Sequence, residues 1–293
     1  MMQVNKSVFR KSHYHFRRLL GLNSQIKKPV FITGSPRSGT TILGTAISYH
    51  PDITYLNEPR SLWISCYPEY DIWTENATQR KGRLYLDSTI CTSSQNKKLH
   101  RLFYRQMFMQ GKPRLVEKYP INNFRLNFLD SVFPDALFVH IVRNGLEVAR
   151  SIDNMCKTHK FDGARDYKWN QIVSYAKEKA KYKNLPEMCQ TDYDRGLLEW
   201  QLNVETALEF FGCTSSDKFL QVTYEDLVEY PVQTMNGILD FIGVSHNEKV
   251  ENFVKKNIRR RTKRIPLSYN NISPKIRQIT GDLLQQLGYL ARR

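Results

Sequence analysis

The chain has 293 residues, with 44 Lys+Arg against 28 Asp+Glu and a formal net charge of +16. Its hydrophobic content of 41% and aromatic content of 12% suffice for a substantial core and exclude a disordered, fibrous or linker protein. The charge points to an anionic partner, whether nucleic acid, an acidic membrane face or a compact polyanion, without choosing among them.

Residues 1–28 carry seven Lys/Arg and no acid, interspersed with Val8, Phe9, Phe16, Leu19, Leu20 and Leu22. No apolar run here or elsewhere is long enough for a signal peptide or a membrane span. The expectation is a basic arm, either solvated, packed on the domain or laid on an anionic membrane, ahead of one domain over 29–293. Short apolar runs at Val30–Thr33, 53–56, 115–117, Leu137–Val142 and Phe219–Thr223 predict buried parallel strands. The helical patterns between them predict an α/β fold, a central parallel sheet flanked by helices. Ile42, Leu43, Ala46 and Ile47 share one helix face before Pro51. Leu146, Val148, Ala149 and Ile152 do so over 145–155, and Leu198, Leu202, Leu208 and Phe211 over 197–211. Pro231 opens a further helix over 232–242, and Gly243 ends it.

Three stretches fit this alternation poorly. Residues 61–110 are rich in Trp, Tyr and Ser/Thr, 157–194 are polar with aromatic interruptions, and 255–264 hold seven basic residues in ten. The first two are where such a fold keeps its substrate contacts. Five scattered cysteines without CxxC or Cys/His ligand spacing predict reduced thiols in a cytoplasmic setting and no zinc site.

The sharpest local signal is Val30-Phe-Ile-Thr-Gly-Ser-Pro-Arg-Ser-Gly-Thr-Thr-Ile-Leu43. A strand runs into a turn between Gly34 and Gly39 and then directly into a helix, so that backbone N–H groups and the positive helix end converge as a phosphate site. The spacing is that of a nucleotide triphosphatase loop, but Thr40 stands where such an enzyme needs Lys, and Arg37 supplies a cation from within the loop.

The run SPRSGTTIL resembles the 5′-phosphosulfate-binding loop of sulfotransferases that use 3′-phosphoadenosine-5′-phosphosulfate (PAPS). The resemblance implies donor contacts from Ser35, Arg37, Ser38, Gly39, Thr40 and Thr41. Phe138-Val-His-Ile-Val-Arg-Asn-Gly-Leu-Glu-Val-Ala-Arg-Ser-Ile152 is similar to the family's second signature, which implies that Arg143 and Ser151 hold the 3′-phosphate. Segments 115–120, 222–227 and 281–289 look like stretches common in bacterial and carbohydrate-type members, so the likeness covers roughly residues 28–289. Physical reasoning agrees: a donor with two separated phosphates needs two anion sites at the carboxyl ends of neighbouring strands. Pairing of Arg143 with Glu147 at i,i+4 is the structural alternative.

Tyr55-Leu-Asn-Glu-Pro-Arg-Ser-Leu-Trp63 closes the second predicted strand, and Pro59 predicts an extended Glu58 at its end. The stretch resembles the Glu-Pro segment of carbohydrate and tyrosylprotein sulfotransferases, which implies that Glu58 is the general base. Work near neutrality would require its pKa to rise towards about 6–7, with Leu56, Leu62 and Trp63 as apolar neighbours. A structural pairing of Glu58 with Arg60 or Arg37 is the competing reading. His50 and His140 suit capping and core roles better than catalysis.

By the same resemblance, Arg37 stabilises the leaving group electrostatically and Lys118 is a second cation on the transferred group, with a plain salt bridge around Glu117 as the structural alternative. Tyr224 stands against adenine or in the core, and Arg259 or Arg261 reaches the 3′-phosphate from a late loop. PAP is the product, no metal is implied, and the acceptor is a hydroxyl of a carbohydrate or glycolipid-like molecule. Two other classes are weighed against this. A nucleotide kinase or nucleotidase lacks its loop lysine, and a nucleic-acid-binding module lacks a recognisable reading motif.

Overall fold

The computed structural model describes residues 26–157, 161–258 and 272–290. Arg259, Arg261 and nearly all of the basic arm lie outside the described residues. Five parallel strands form one sheet in the order β2-β3-β1-β4-β5, with β1 at Val30–Thr33, β2 at Ile53–Asn57, β3 at Arg114–Lys118, β4 at Leu137–Val142 and β5 at Phe219–Thr223. Register places Ile32 beside Lys118, Asn57 beside Lys118, and Thr33 beside His140. The strand ends that follow Thr33, Asn57, Lys118 and Val142 therefore meet on one edge. β5 is expected to be buried; it lies at a sheet edge and its side chains are only partly covered, unlike those of the other edge strand, β2.

Alternation along the strands sends side chains to two cores. Val30, Ile32, Val116, Val139 and Ile141 pack on one face against Leu43, Ala46 and Ile47 of α1 (Thr40–Ser48). Phe31, Leu115, Phe138 and Val142 pack on the other. That second face is covered by α2 (Arg60–Cys66), α3 (Ser93–Gln110), α4 (Leu126–Val132), α5 (Gly145–Cys156), α6 (Tyr167–Glu178) and α7 (Asp192–Gly212). α7 begins five residues before the apolar pattern at 197 suggests, because the Thr191 hydroxyl and Asp194 carboxylate form a reciprocal cap at its start. After β5 come α8 (Tyr224–Glu229), α9 (Pro231–Ile242), which ends at Gly243 with φ +73°, and α10 (Glu248–Asn257).

Candidate active site

The loop from Gly34 to Gly39 turns tightly over the ends of β1 and β4. A Cβ at Gly34 would stand 2.4 Å from the Ile141 carbonyl oxygen, and one at Gly39 2.5 Å from the Tyr224 ring. Both glycines have positive φ, at +151° and +96°, so no larger residue fits either place. Arg37 also takes a left-handed backbone, φ +68°. α1 starts directly from Gly39 with no side-chain cap and no acid in its first turn, leaving its first N–H groups available for an anion. The hydroxyl of buried Ser38 has no hydrogen-bond partner, Ser35 is fully buried, and Thr40 nearly so.

Lys118, at the end of β3, is 1% exposed. Its Nζ donates to Glu58 Oε1 at 2.9 Å and to Thr41 Oγ1 at 3.1 Å. Arg60 Nη2 donates to the other oxygen, Glu58 Oε2, at 2.7 Å. Two sequence-level expectations about Glu58 need correction. Its backbone is left-handed, φ +47°, not extended. Its N–H continues the β2–β3 ladder to the Lys118 carbonyl at 2.8 Å, and the ion pairs at both carboxylate oxygens then turn the chain; such a conformation costs about 1–3 kcal/mol and persists only where contacts determine it. Its pKa is also not raised. Burial pushes it up, but hydrogen bonds and charge from Lys118 and Arg60 outweigh burial and hold the carboxylate below its ordinary value. The pairing with Arg60 therefore exists alongside the pairing with Lys118.

On the other side of the loop, Arg143 Nη1 donates to the Arg37 carbonyl at 3.0 Å, while Arg37 Nε donates to Ser151 Oγ at 3.0 Å. Arg143 stacks over Tyr224, 4.3 Å from its ring centre, and lies 3.8 Å from the Glu147 carboxylate. The i,i+4 pairing is thus present without excluding the loop contact. Tyr224 is held between Gly39 and Arg143, and its ring forms part of the loop's floor. His140 is buried beneath, with Nδ1 3.2 Å from the Thr33 hydroxyl, and burial lowers its pKa to about 3. His50 bonds Ser245 O and the Asp52 N–H. Both histidines serve the structure.

A cleft of about 300 Å³ opens beside Glu58, bounded by Arg37, Thr41, Arg60, Trp73, Tyr119 and Phe161. Arg60 lies over Trp73 at 4.5 Å and Tyr119 at 5.6 Å. This aromatic wall is absent from the sequence-level site. Its signal was the aromatic content of the two irregular stretches, which supply Trp73 and Phe161.

Two buried ionisable groups support the site from behind. Lys168, fully buried, lies 2.8 Å from Glu199 Oε2 and 3.3 Å from Asp162 Oδ1, with its Nζ 3.6 Å from the Phe161 ring centre. Glu117, adjacent to Lys118 but on the opposite sheet face, accepts from Trp63 Nε1 at 3.1 Å and Asn122 Nδ2 at 3.0 Å. Burial raises its pKa to about 8, so it holds its proton at neutral pH. Among the described residues no cluster of His, Cys, Asp and Glu is arranged to hold a metal.

A glycine-bracketed loop at a helix start, a lysine at the end of the neighbouring strand and the carboxylate paired with it meet at the mouth of one cleft. The chain belongs to the sulfotransferase family, whose model matches residues 29–248. It is 23% identical over 280 residues to a protein-tyrosine sulfotransferase of Drosophila melanogaster, an alignment covering 89% of this chain and 50% of that protein. It is 24% identical over 277 residues to protein-tyrosine sulfotransferase 2 of Gallus gallus, covering 89% and 67%. The chain thus spans half to two thirds of these relatives' length. Its fold matches the sulfotransferase domain of the curacin biosynthetic pathway (TM-score 0.52, 16% identity, 89% and 98% of the two chains) and sulfotransferase STF9 of Mycobacterium avium (0.54, 14%, 94% and 80%).

Proposed function

We propose that this protein transfers the sulfuryl group of PAPS to an acceptor hydroxyl. The observation that carries the reading is the set Glu58–Lys118–Thr41, hydrogen-bonded into one unit where the phosphate loop meets the cleft. Ser35, Ser38, Gly39, Thr40 and Thr41 would receive the 5′-phosphosulfate, and the unpartnered Ser38 hydroxyl and uncapped α1 fit an anion there. Arg143 and Ser151 would take the 3′-phosphate, Ser151 exchanging its bond from Arg37 for one to the donor. Glu58 accepts the acceptor's proton as its oxygen bonds to sulfur. The bond from sulfur to the 5′-phosphate oxygen breaks, its electron pair stays on PAP, and Arg37 and Lys118 neutralise that charge.

A phenolic acceptor fits this site better than the carbohydrate or glycolipid-like alcohol expected from sequence. A carboxylate held below its ordinary value is a weak base, better matched to a phenol of pKa near ~10 than to a far less acidic alcohol. Trp73, Tyr119 and Phe161 offer faces to a ring, and the named relatives act on protein tyrosine.

The test is PAP binding by thermal shift and titration, followed by turnover of PAPS against a tyrosine peptide, 2-naphthol and a glycolipid alcohol. PAP should stabilise the protein, and Arg143→Ala should weaken PAP about 10–100-fold. No stabilisation, or unchanged affinity in Arg143→Ala, would refute the donor assignment. Turnover of the glycolipid alone would refute the phenol.

A further inference from the structure

The site accounts for only a few of the protein's cations, and the largest unexplained set among the described residues lies on α3. Between residues 88 and 116 the chain contains Lys97, Lys98, Arg101, Arg105, Lys112 and Arg114 and not one carboxylate. α3 packs on α2, β2 and β3, anchored by buried Leu99 and Phe103. At 100° per residue, Lys97, Lys98, Arg101, Tyr104, Arg105, Phe108 and Met109 fall within an arc of about 140° on the face turned from that anchor.

Elsewhere on the described surface, Arg150, Lys157, Lys179, Lys181, Lys218 and Lys255 each pair with a carboxylate, and cations without such a pair, such as Lys177, Lys183, Lys249 and Lys256, lie on stretches that also carry acids. The four cations of α3 pair with no carboxylate among the described residues, although Lys98 Nζ donates to the Ser65 carbonyl and Arg101 and Arg105 are half-buried. Set within the same arc is Met109, 74% exposed, one helical turn beyond Arg105 and three residues before Lys112.

We propose that this face of α3 is a docking surface for an anionic lipid bilayer. Cations without carboxylate partners in an acid-free field suit lipid phosphates and carboxylates. An apolar side chain projecting from among them gains free energy by entering the hydrocarbon beneath the headgroups. A soluble polyanion such as a sulfated glycan would satisfy the cations but gain nothing from Met109, so the bilayer accounts for both features. The surface is separate from the cleft and does not rest on the sulfuryl-transfer reading.

The test is co-sedimentation of the full chain with phosphatidylcholine vesicles with and without phosphatidylserine. The α3 variant is K97E/K98E/R101E/R105E, and K177E/K183E/K249E/K256E, all exposed positions, matches its net charge. The parent should bind only the phosphatidylserine vesicles. The α3 variant should lose at least about tenfold in affinity, the control less than about twofold, and Met109→Asp several-fold. Thermal melting and far-UV circular dichroism check that each variant is folded, and the milder K97E/R105E pair with Met109→Asp carries the test if the fourfold variant is not. Equal loss in the control would assign binding to bulk charge, and retained binding in the α3 variant would assign it to another segment. Unchanged binding in Met109→Asp would indicate a plain polyanion site. Any of these, or a parent that ignores phosphatidylserine, overturns the proposal.

Discussion

The ammonium of Lys118 lies 2.9 Å from Glu58 Oε1, so the candidate base and a candidate sulfuryl-stabilising cation form one ion pair in the protein itself. Lys118 can therefore keep Glu58 ionised and still be drawn to charge developing on the transferred group, since Thr41 already holds it towards the loop. Removing either partner should reveal the other's role.

Glu58→Gln keeps the shape of the side chain and removes the proton acceptor. Sulfuryl transfer, followed as PAP release with the acceptor that turns over, should fall by about 10²–10⁴-fold, with PAP affinity within about twofold. Retained turnover would eliminate Glu58 as the base.

Arg60 contributes to holding Glu58 below the ordinary carboxylate value of 4.5. The pH–rate profile of kcat/KM should accordingly have its acid limb below that value. Arg60→Met should raise the Glu58 pKa and move the limb to higher pH, while Arg60→Lys should move it less. The stabilising effect of the carboxylate has the same direction: present above its ordinary value and lost as pH falls through the lowered one.

Glu117 titrates the other way. Its pKa of about 8 in the fold lies above the ordinary value, so the native state binds a proton that the unfolded chain releases between these limits. Stability from this group is complete below about 4.5 and is lost as pH rises to about 8. Melting temperature should decline across that window, and Glu117→Gln, which mimics the protonated acid, should flatten the decline.

Lys168→Met strands Glu199 and Asp162 beneath the Phe161 wall. Loss of one partner of a buried pair costs about 3–5 kcal/mol, whereas replacing both by apolar groups is often neutral. Denaturant melts should show a severe loss for Lys168→Met, partly recovered in K168M/E199L, where Asp162 retains only Arg195 at 3.9 Å among the described residues.

Gly39→Ala places a methyl group 2.5 Å from the Tyr224 ring at a backbone φ of +96°. PAP affinity, read by titration, should fall at least about tenfold from displacement of Tyr224 and the loop. Adding Tyr224→Ala relieves the clash but not the backbone strain, so recovery should be partial.

All five strands, the phosphate loop and the strand-end placement of Glu58, Lys118 and Arg143 were legible from the sequence because each depends on neighbouring residues. Strand alternation, a glycine-bracketed turn and helical spacing act over a few residues. The ionisation and backbone of Glu58 were misread for the complementary reason. Apolar Leu56, Leu62 and Trp63 lie close in sequence and suggested a desolvated acid, whereas Lys118, sixty positions away, sets its charge. Nothing in the strand pattern records that distance.

By itself, then, the sequence determined a parallel α/β sheet and a loop shaped for phosphate, both consequences of local periodicity and backbone freedom. Tertiary structure decided the rest. It joined Arg37 to Ser151 and Arg143 to Tyr224, brought Trp73, Tyr119 and Phe161 around one cleft, and left the cations of α3 without counter-charges. Electrostatics and packing depend on distances in space, and only the folded chain sets those.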